Sequence, residues 1–585
     1  MNRSNYDKYP FVQVEEENQS CVTGWDAICQ TLNQKVKTIN KKIRLVVIEC
    51  YQGVDSAELL THLQKGLQHQ LWINSAEAFR EEASIRAMVY PDVTDDRVFG
   101  YLSRLRMENF LDGDKVQQQR QKINKLHEGT VVVYGHGASL IVPHSDLLVY
   151  ADMARWEIQL RMRRHEVNNL GVSNKEEEFA AQYKQAFFVD WRVCDRLKKE
   201  LMPRWDFVLD TNTPNSPKLL AGKALQKGLE VAAGRPFRVV PFFDPGPWGG
   251  QWMKEVCDLD RSEVNYAWCF DCVPEENSLL LGYGNVKVEI PAINLVFFQT
   301  DRLLGPKVHA RFGDEFPIRF DFLDTMEGGN LSLQVHPTTE YVQQAFGMHY
   351  TQDESYYMLD VAEDAYVYLG LQEGVNPEAM IQELKEAQQE GRSFDAEKHV
   401  KKWPVQKHDH VSIPAGTVHC SGAGSMVLEI SATPYIFTFK LWDWGRLGLD
   451  GKPRPINIEH GEKVIQWDRT ASWVEQNTLN LVEPLGEGEG WKEERTGLNE
   501  LQFIETRRHW FTGKVPHHTG GIVNVLNLVQ GREAIVESPT AAFDPFIVHY
   551  AETFIVPAAV GAYTIRPYGE AEGTRCATIK AYVRI

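Results

Sequence analysis

The sequence is poor in cysteine and has no long apolar run. Nine cysteines are scattered over 585 residues, a count and spacing that do not fit a disulfide-stapled scaffold. The only closely spaced pair, Cys269 and Cys272, has no second pair to complete a zinc site. We therefore expect two buried thiols at these positions in a reduced protein.

Segments that would place the chain in or across a membrane are also missing. Residues 1–20 contain no apolar stretch of the kind found in secretion signals. Nowhere does the sequence reach the roughly 18 consecutive apolar residues that a membrane-spanning helix needs. These absences predict a cytoplasmic protein with no membrane partner.

Basic residues are in deficit. Lys and Arg number 62 against 80 Asp and Glu, which gives a formal net charge of −18. A nucleic-acid partner is not expected, because binding to a phosphate backbone needs a basic face. With 43% hydrophobic and 24% charged residues, the composition is that of an ordinary globular protein. At about 150 residues per domain, the length predicts three or four domains.

Residues 1–238 alternate between apolar runs and helical patterns. The run Leu45–Ile48 precedes a glycine turn and the helical pattern SAELLTHLQKGLQHQL, and further β-branched runs occur at Thr130–Tyr134, Leu147–Tyr150 and Phe207–Leu209. This alternation predicts an N-terminal α/β domain with a mostly parallel sheet flanked by helices.

The first strand and turn of this domain, VVIECYQGVDSAELLTHL, resemble the P-loop of nucleoside and nucleotide kinases. A P-loop cradles phosphate with backbone amides at a helix N-terminus. Here Gly53, Asp55 and Ser56 occupy the turn and no Walker lysine is present, and an aspartate at this place repels phosphate. We expect a kinase-like scaffold without an intact Walker A motif. It is either catalytically silent or retains sensing of a nucleotide or phosphosugar.

Composition changes near residue 240, where VVPFFDPGPWGGQW concentrates proline and glycine. Short β-rich runs follow, interrupted by one helical pattern from Pro377 to Lys401, and they predict a sandwich or barrel. The domains expected are 239–470 and 471–585. TFIVPAAVGAYTI in the last domain echoes HVSIPAGTVHCSG in the middle one, which indicates a weak internal repeat of barrels.

Four polar residues in the middle domain form a candidate metal site. Strand alternation places Gln334 and His336 of LSLQVHP on one face, while Glu354 stands in DESYY and His419 ends IPAGTVH. One amide oxygen, two imidazoles and one carboxylate suit a divalent ion such as zinc, with a position left for water or substrate. Among 18 histidines, accidental pairings of this kind also occur, so the residues alone leave a structural role open.

The order of these motifs resembles the type I mannose-6-phosphate isomerases, a cupin family of phosphosugar isomerases. The resemblance covers about residues 245–470 and includes PWGG at 247–250, LSLQVHP, DESYY, IPAGTVH and DWGR at 443–446. It implies a mostly-β double-cupin (jelly-roll barrel) region and a phosphosugar substrate, mannose 6-phosphate, that is converted to fructose 6-phosphate through an enediol or enediolate. The residue roles implied are Zn²⁺ or another divalent metal on Gln334, His336, Glu354 and His419, catalysis by Arg446, and substrate binding by Lys440 and Trp248.

The sequence departs from the family pattern at several positions. Gln352 stands where the family has a lysine two residues before the metal-ligand glutamate, Gly445 replaces the aspartate before Arg446, and Phe439-Lys440 replaces tyrosine-arginine. Two alternatives therefore remain: a metal-containing sugar-binding or regulatory cupin protein without turnover, and an isomerase of a different sugar.

The catalytic base is not fixed by sequence, and its candidates are His408, Asp409, His410, Glu429 and Lys440. His517 and His518 are expected in a loop without metal. The oligomeric state stays unknown.

Overall fold

The computed structural model describes residues 4–17, 20–434, 436–449, 451, 454–497 and 501–585. Their contacts divide the chain into two compact units. The α/β unit comprises Phe11–Val231 and Ser278–Phe298, and the β unit comprises the remaining described residues. The expectation of a multidomain, strand-rich protein is confirmed.

A seven-stranded sheet forms the centre of the α/β unit. Its strands, in spatial order, are Cys21–Thr23, Lys218–Ala221, Phe207–Asp210, Leu147–Asp152, Ile43–Cys50, Gly129–Gly135 and Leu71–Asn74. The last five strands in this order run parallel to one another. Lys218–Ala221 pairs antiparallel with both of its neighbours, Cys21–Thr23 and Phe207–Asp210. Val46, Val47 and Ile48 are fully buried, as expected for a parallel strand that is covered on both faces.

Helices and a small second sheet complete this unit. The α-helices are Trp25–Lys37, Ser56–Leu59, Glu82–Val93, Met107–Phe110, Gly113–Asn124, Ala138–Ile141, Arg155–Arg163, Phe179–Gln185, Trp191–Leu201, Gly222–Ala232 and Ile293–Phe298. The second sheet has the strand order Phe11–Gln13, Ser278–Tyr283 and Val286–Pro291. Likeness of the unit to kinases remains a prediction.

Four sheets make up the β unit. The first two contain the candidate site. The six-stranded sheet has the spatial order His410–Ile413, Glu354–Val361, Ser425–Ala432, Ile318–Asp324, Trp268–Cys272 and Phe242–Asp244. The five-stranded sheet has the order Val400–Pro404, Tyr366–Leu371, His419–Ser421, Leu333–Val335 and Phe439–Trp442. The third sheet has six strands in the order Val482–Gly488, Trp491–Thr496, Ile504–Phe511, Cys576–Val583, Asn524–Gln530 and Thr553–Val556. The fourth has four strands in the order Val515–His518, Ala562–Pro567, Glu533–Glu537 and Phe546–His549.

Helices connect the strands of the β unit. They are Trp252–Val256, Thr300–Leu304, Pro306–Phe312, Thr339–Phe346, Pro377–Glu390, Ala396–His399, Ile458–Gly461 and Ala471–Asn477. The predicted helical insert corresponds to Pro377–Glu390 and Ala396–His399, and the side chain of Asn376 caps the first of these helices.

Alternation of side chains builds the interior of the β unit. Cys269 and Cys272 are buried thiols, as the sequence predicts. In the last two sheets, inward residues such as Phe511, Leu526 and Tyr563 pack into one apolar cluster. Among the described helices, none combines the length and the apolar character required to cross a bilayer.

Candidate metal centre

Three neighbouring strands place the first site residues side by side. Gln334 is paired with His419 on one flanking strand and with Lys440 on the other. Directly opposed residues of antiparallel strands have their side chains on the same face. Lys440, Gln334 and His419 therefore form a row across the sheet.

One turn joins the backbone segments that carry the other site residues. Within Pro414-Ala415-Gly416, the Gly416 amide donates to the carbonyl of His336 at 2.9 Å, and the Ala415 amide donates to Asp353, the residue before Glu354, at 2.8 Å. Gly416 has a φ of 89°, a conformation that favours glycine. Two main-chain amides of this turn thus hold together the segments that carry His336, Glu354 and His419.

The side chains of His336, Glu354 and His419 converge in the interior. His336 Nε2 lies 3.0 Å from Glu354 Oε2, and His419 Nε2 lies 2.7 Å from Glu354 Oε1. The three ligand atoms fall within 4.8 Å of one another, and all three residues are buried. Gln334 borders this triad, with its Nε2 3.3 Å from His419 Nε2.

Hydrogen bonds determine which imidazole nitrogens face the triad. Nδ1 of His336 donates to the carbonyl of Phe437 at 3.2 Å, and Nδ1 of His419 donates to that of Thr417 at 2.8 Å. Each ring therefore directs its Nε2 toward the Glu354 carboxylate. Two imidazole nitrogens and a carboxylate at this spacing fit a bound cation.

The electrostatics of Glu354 favour its ionised form. Burial alone would raise the pKa of this carboxyl, but the imidazoles of His336 and His419 hold its pKa well below the usual range. An ionised carboxylate beside two imidazole nitrogens is the donor set that zinc and similar ions take.

A buried polar network supports Glu354 from behind. Gln352 Nε2 donates to Glu354 Oε2 at 3.0 Å and to Glu429 Oε1 at 3.2 Å. Arg319 also donates to Glu429 and forms an ion pair with Asp321 at 3.0 Å. Gln352 is the position where the family resemblance implies a lysine, and here its neutral amide joins two carboxyl groups.

The other predicted site residues lie in different surroundings. Arg446 donates to Asp443 at 2.6 Å and to the carbonyl of Asn330 at 2.5 Å, and its buried Nε has no hydrogen bond to a described residue. Trp248 is 1% exposed and packs edge-on against Trp268 at 4.7 Å. Roles in substrate binding or catalysis for these two residues remain predictions.

The base candidates separate by strand face. Glu429 is paired with Tyr356, so it shares the face of Glu354. His410 instead bonds Ser355, on the opposite face, at 2.9 Å, and burial lowers its pKa to about 3. Asp409 accepts bonds from Gln406 and Asn480 in a turn. Of the proposed bases, Glu429 and Lys440 lie on faces that carry triad residues.

Sequence reasoning missed two arginines of this region. Arg319 was detectable, because charged residues alternate with apolar ones in its buried strand, IRFDFLD. Arg469 gave no such signal, yet it donates to the carbonyls of Pro414 and Ala415 and so clamps the turn that leads to His419.

The expectation that His517 and His518 lie in a loop is wrong. Both belong to the strand Val515–His518, where the ring of His517 is buried and stacks on Tyr563 at 4.9 Å. The alternation of Val515 and His517 with the exposed Pro516 and His518 explains the difference, because two residues of this strand face the apolar interior.

Comparison with known proteins relates different parts of the chain to different families. A family described as a domain of unknown function (DUF8485) matches residues 24–234. The mannose-6-phosphate isomerase ManA of Bacillus subtilis is 29% identical over 154 residues, covering 26% of this chain and 45% of that protein. The mannose-6-phosphate isomerase of Streptococcus mutans is 29% identical over 227 residues, covering 38% of this chain and 66% of that protein.

The solved structures that align with this chain include mannose-6-phosphate isomerases as well. The mannose 6-phosphate isomerase from Bacillus subtilis aligns with a TM-score of 0.49 and 17% identity, covering 60% of this chain and 100% of that chain. A variant of phosphomannose isomerase from Salmonella typhimurium aligns with a TM-score of 0.46 and 12% identity, with the same coverage. The chain spans about half the length, 45%, of the first curated relatives it matches. Its relatives and structural neighbours are mannose-6-phosphate isomerases, to which it is similar over part of its length.

Proposed function

We propose that this protein is a metal-dependent aldose–ketose isomerase that interconverts mannose 6-phosphate and fructose 6-phosphate. The observation that carries the proposal is the convergence of two imidazole Nε2 atoms on the Glu354 carboxylate, in a buried triad. The sequence relatives, which are mannose-6-phosphate isomerases, supply the reaction.

In this proposal His336, Glu354 and His419 hold zinc or another divalent ion. Gln334 is the fourth ligand, because its amide borders His419 and presents an oxygen when turned about its terminal bond. A bound dication supplies stabilisation of negative charge on substrate oxygens. The hydrogen bonds to the carbonyls of Phe437 and Thr417 keep both imidazoles in the ligand tautomer.

The chain's own charged groups then serve the substrate. Isomerisation moves a proton between C1 and C2 through an enediol or enediolate, which needs a base and cationic groups near the developing charge. Lys440 lies beside Gln334 in the row of site residues and is the cation assigned to the sugar phosphate or the enediolate. Arg446 has the same type of role, and the base is assigned to Glu429, which shares the face of Glu354.

A second function is favoured by Gln352. Because this neutral amide bonds Glu354 and Glu429, it contributes no positive charge where the family resemblance implies a lysine. A protein that binds metal and a sugar without turnover follows from this difference. An isomerase of another sugar is the third possibility, and it is distinguished by activity on substrates that lack phosphate.

The test measures metal content and turnover on one preparation of the full chain. We expect about one zinc per chain, turnover of mannose 6-phosphate, and loss of turnover on chelation. His336→Ala should lose both metal and activity. His309→Ala is the matched control, because His309 is 43% exposed and pairs with Asp301.

Each outcome separates the alternatives. Unchanged zinc in His336→Ala would contradict the ligand assignment. Zinc in the wild type without turnover of any sugar in a panel would favour the binding function. Turnover that needs no phosphate would favour a different sugar.

A further inference from the structure

A cavity lies in the α/β unit, at the carboxyl ends of its parallel strands. Its volume is about 470 Å³, within the range of small-molecule sites. The lining segments 53–57, 74–76 and 135–136 lie at or shortly after the carboxyl ends of the strands Ile43–Cys50, Leu71–Asn74 and Gly129–Gly135.

The position of this cavity in the sheet is informative. The chain runs from Ile43–Cys50 to strands on one side of it and then crosses to Leu147–Asp152 on the other side. Ligands of open α/β sheets bind outside the carboxyl ends of the strands at such a reversal of strand order.

The chain's own carboxylate occupies the place where a P-loop would receive phosphate. Asp55 Oδ1 accepts the amides of Ala57 at 2.8 Å and Glu58 at 3.3 Å. Arg161, a buried cation nearby, donates instead to the carbonyls of Gly53 and Thr211. With these donors satisfied and a negative charge in place, a phosphate group finds repulsion rather than a cradle.

The cavity wall nevertheless offers hydrogen-bonding groups of both kinds. The Ser75 side chain is completely buried, and its hydroxyl has no hydrogen bond to a described residue. Asn74 and Asn168 accept bonds through their amide oxygens, which leaves their NH2 groups as donors among the described contacts. The second oxygen of Asp55 is an acceptor on the same lining.

The wall is fixed from behind by buried side chains. Glu49 accepts the amides of Gly137 and Ser139, at 2.6 and 2.8 Å, and so holds the loop after Gly129–Gly135. Asp190 accepts from the side chain of Asn169 at 2.7 Å and from the Leu170 amide at 3.2 Å in the loop opposite. Loops anchored in this way form a site that needs little ordering when a ligand binds.

We propose that this cavity binds an uncharged polyhydroxylated small molecule, a free sugar or a nucleoside, and excludes nucleotides and sugar phosphates. Each hydroxyl of such a ligand donates and accepts, which matches a lining of amide, hydroxyl and carboxylate groups. Apart from His136, the charged residues on the lining are two acids, Asp55 and Glu166, and one base, Arg80. This excess of negative charge disfavours the binding of anions. The proposal is independent of the isomerase function.

Calorimetric titration of the full chain tests it with defined probes. The neutral probes are mannose, fructose and adenosine; the anionic probes are inorganic phosphate, mannose 6-phosphate and ATP with magnesium; spermidine is the cationic probe. Ala76→Trp fills the cavity from an exposed position on its lining. Ala27→Trp is the matched control, because Ala27 is exposed on the helix Trp25–Lys37 and does not line the cavity.

We expect at least one neutral probe to bind, with affinity at least tenfold lower in Ala76→Trp and unchanged in Ala27→Trp. Ser75→Ala removes the buried hydroxyl with little change of volume and should weaken the same binding about fivefold, the effect of one hydrogen bond. Comparison of the affinities for mannose and fructose with that for adenosine shows whether the cavity binds a free sugar or a nucleoside.

Other results would overturn the proposal. One is that no neutral probe binds. Another is that a neutral probe binds with an affinity that Ala76→Trp leaves unchanged. Binding of ATP, phosphate or spermidine that disappears in Ala76→Trp would equally show that the cavity selects charge. Mannose 6-phosphate binding that persists in Ala76→Trp belongs to the β unit and supports the exclusion of sugar phosphates from this cavity.

Discussion

At the scale of single residues, hydrogen bonds orient the side chains of the site. Two imidazoles hold the pKa of Glu354 well below its usual range, and each imidazole directs Nε2 to the carboxylate because its Nδ1 is bonded to a main-chain carbonyl. An arrangement of this kind is compatible with a metal ion. Lys440 lies in the same row as Gln334, and its proposed role in binding the substrate is testable.

Lys440→Met is expected to lower kcat/KM for mannose 6-phosphate by roughly 10- to 100-fold, the effect of losing one charge-assisted hydrogen bond. Zinc content should not change, because Lys440 is not among the assigned ligands. Lys440→Arg should retain part of the activity, and Lys463→Met, at an exposed position, is the control. Loss of zinc in Lys440→Met would mean that the residue supports the fold of the site instead.

A second prediction concerns His410, which is completely buried between Thr496 and Ser355. Burial lowers its pKa to about 3, against about 6.5 in an unfolded chain. Between these values the unfolded state binds a proton that the folded state does not, so the His410 contribution to stability falls as pH falls.

His410→Gln should therefore be less stable than the wild type at pH 7.5, with a difference that shrinks by about 2 kcal/mol at pH 5.0. Unfolding of both proteins at the two pH values measures this change. An equal difference at both values would contradict the assignment of a neutral buried histidine.

At the scale of elements, the turn Pro414-Ala415-Gly416 brings the site strands together. It bonds the His336 carbonyl and Asp353 and is itself clamped by Arg469. A side chain at Gly416 would place its Cβ 2.6 Å from Gln466 Cγ, in addition to requiring a positive φ. Metal affinity should therefore depend on a residue that is not a ligand.

Gly416→Ala is expected to destabilise the protein and to weaken zinc binding at least tenfold. Gly374→Ala is the control, because Gly374 also has a positive φ but a Cβ added there would meet no described atom within 4 Å beyond its chain neighbours. The control carries only the backbone cost of about 1–2 kcal/mol, whereas Gly416→Ala adds a steric cost of about 1–3 kcal/mol. Thermal unfolding and zinc titration of both variants measure the effects, and equal zinc affinity would contradict the role of the turn.

At the scale of the whole molecule, the chain returns to its first unit after leaving it. Ser278–Phe298 belongs to the α/β unit although it follows the start of the β unit in sequence. Its strand Ser278–Tyr283 pairs with Phe11–Gln13. Asn294 bonds Lys198 at 3.1 Å and Asp152 at 2.7 Å, so the segment completes a buried polar cluster.

Asn294→Ala in the full chain is expected to destabilise the protein by about 1–3 kcal/mol, because it leaves the buried ion pair of Lys198 with Asp152 without the Asn294 amide. Thermal unfolding of the variant and the wild type measures the difference. Equal unfolding temperatures would show that this contact of Ser278–Phe298 is dispensable for the α/β unit.

Local pattern was sufficient to find several parts of this protein. Alternation placed Gln334 and His336 on one face, and apolar runs located the strands at 43–50 and 147–152. These features depend on residues close together in the chain, so the sequence by itself determined them. Glu354 and His419 became candidates through the family resemblance of the motifs around them.

Contacts between distant segments were decided by tertiary structure. The register of Glu429 opposite Tyr356, the clamp of Arg469 on a turn more than fifty residues away and the return of Ser278–Phe298 to the α/β unit all depend on which strands become neighbours. The buried state of Trp248 belongs to the same group. Residue types and spacing determine which side chains share a face of one strand, but pairing between strands is a property of the complete fold, because it follows from the packing of many segments at once.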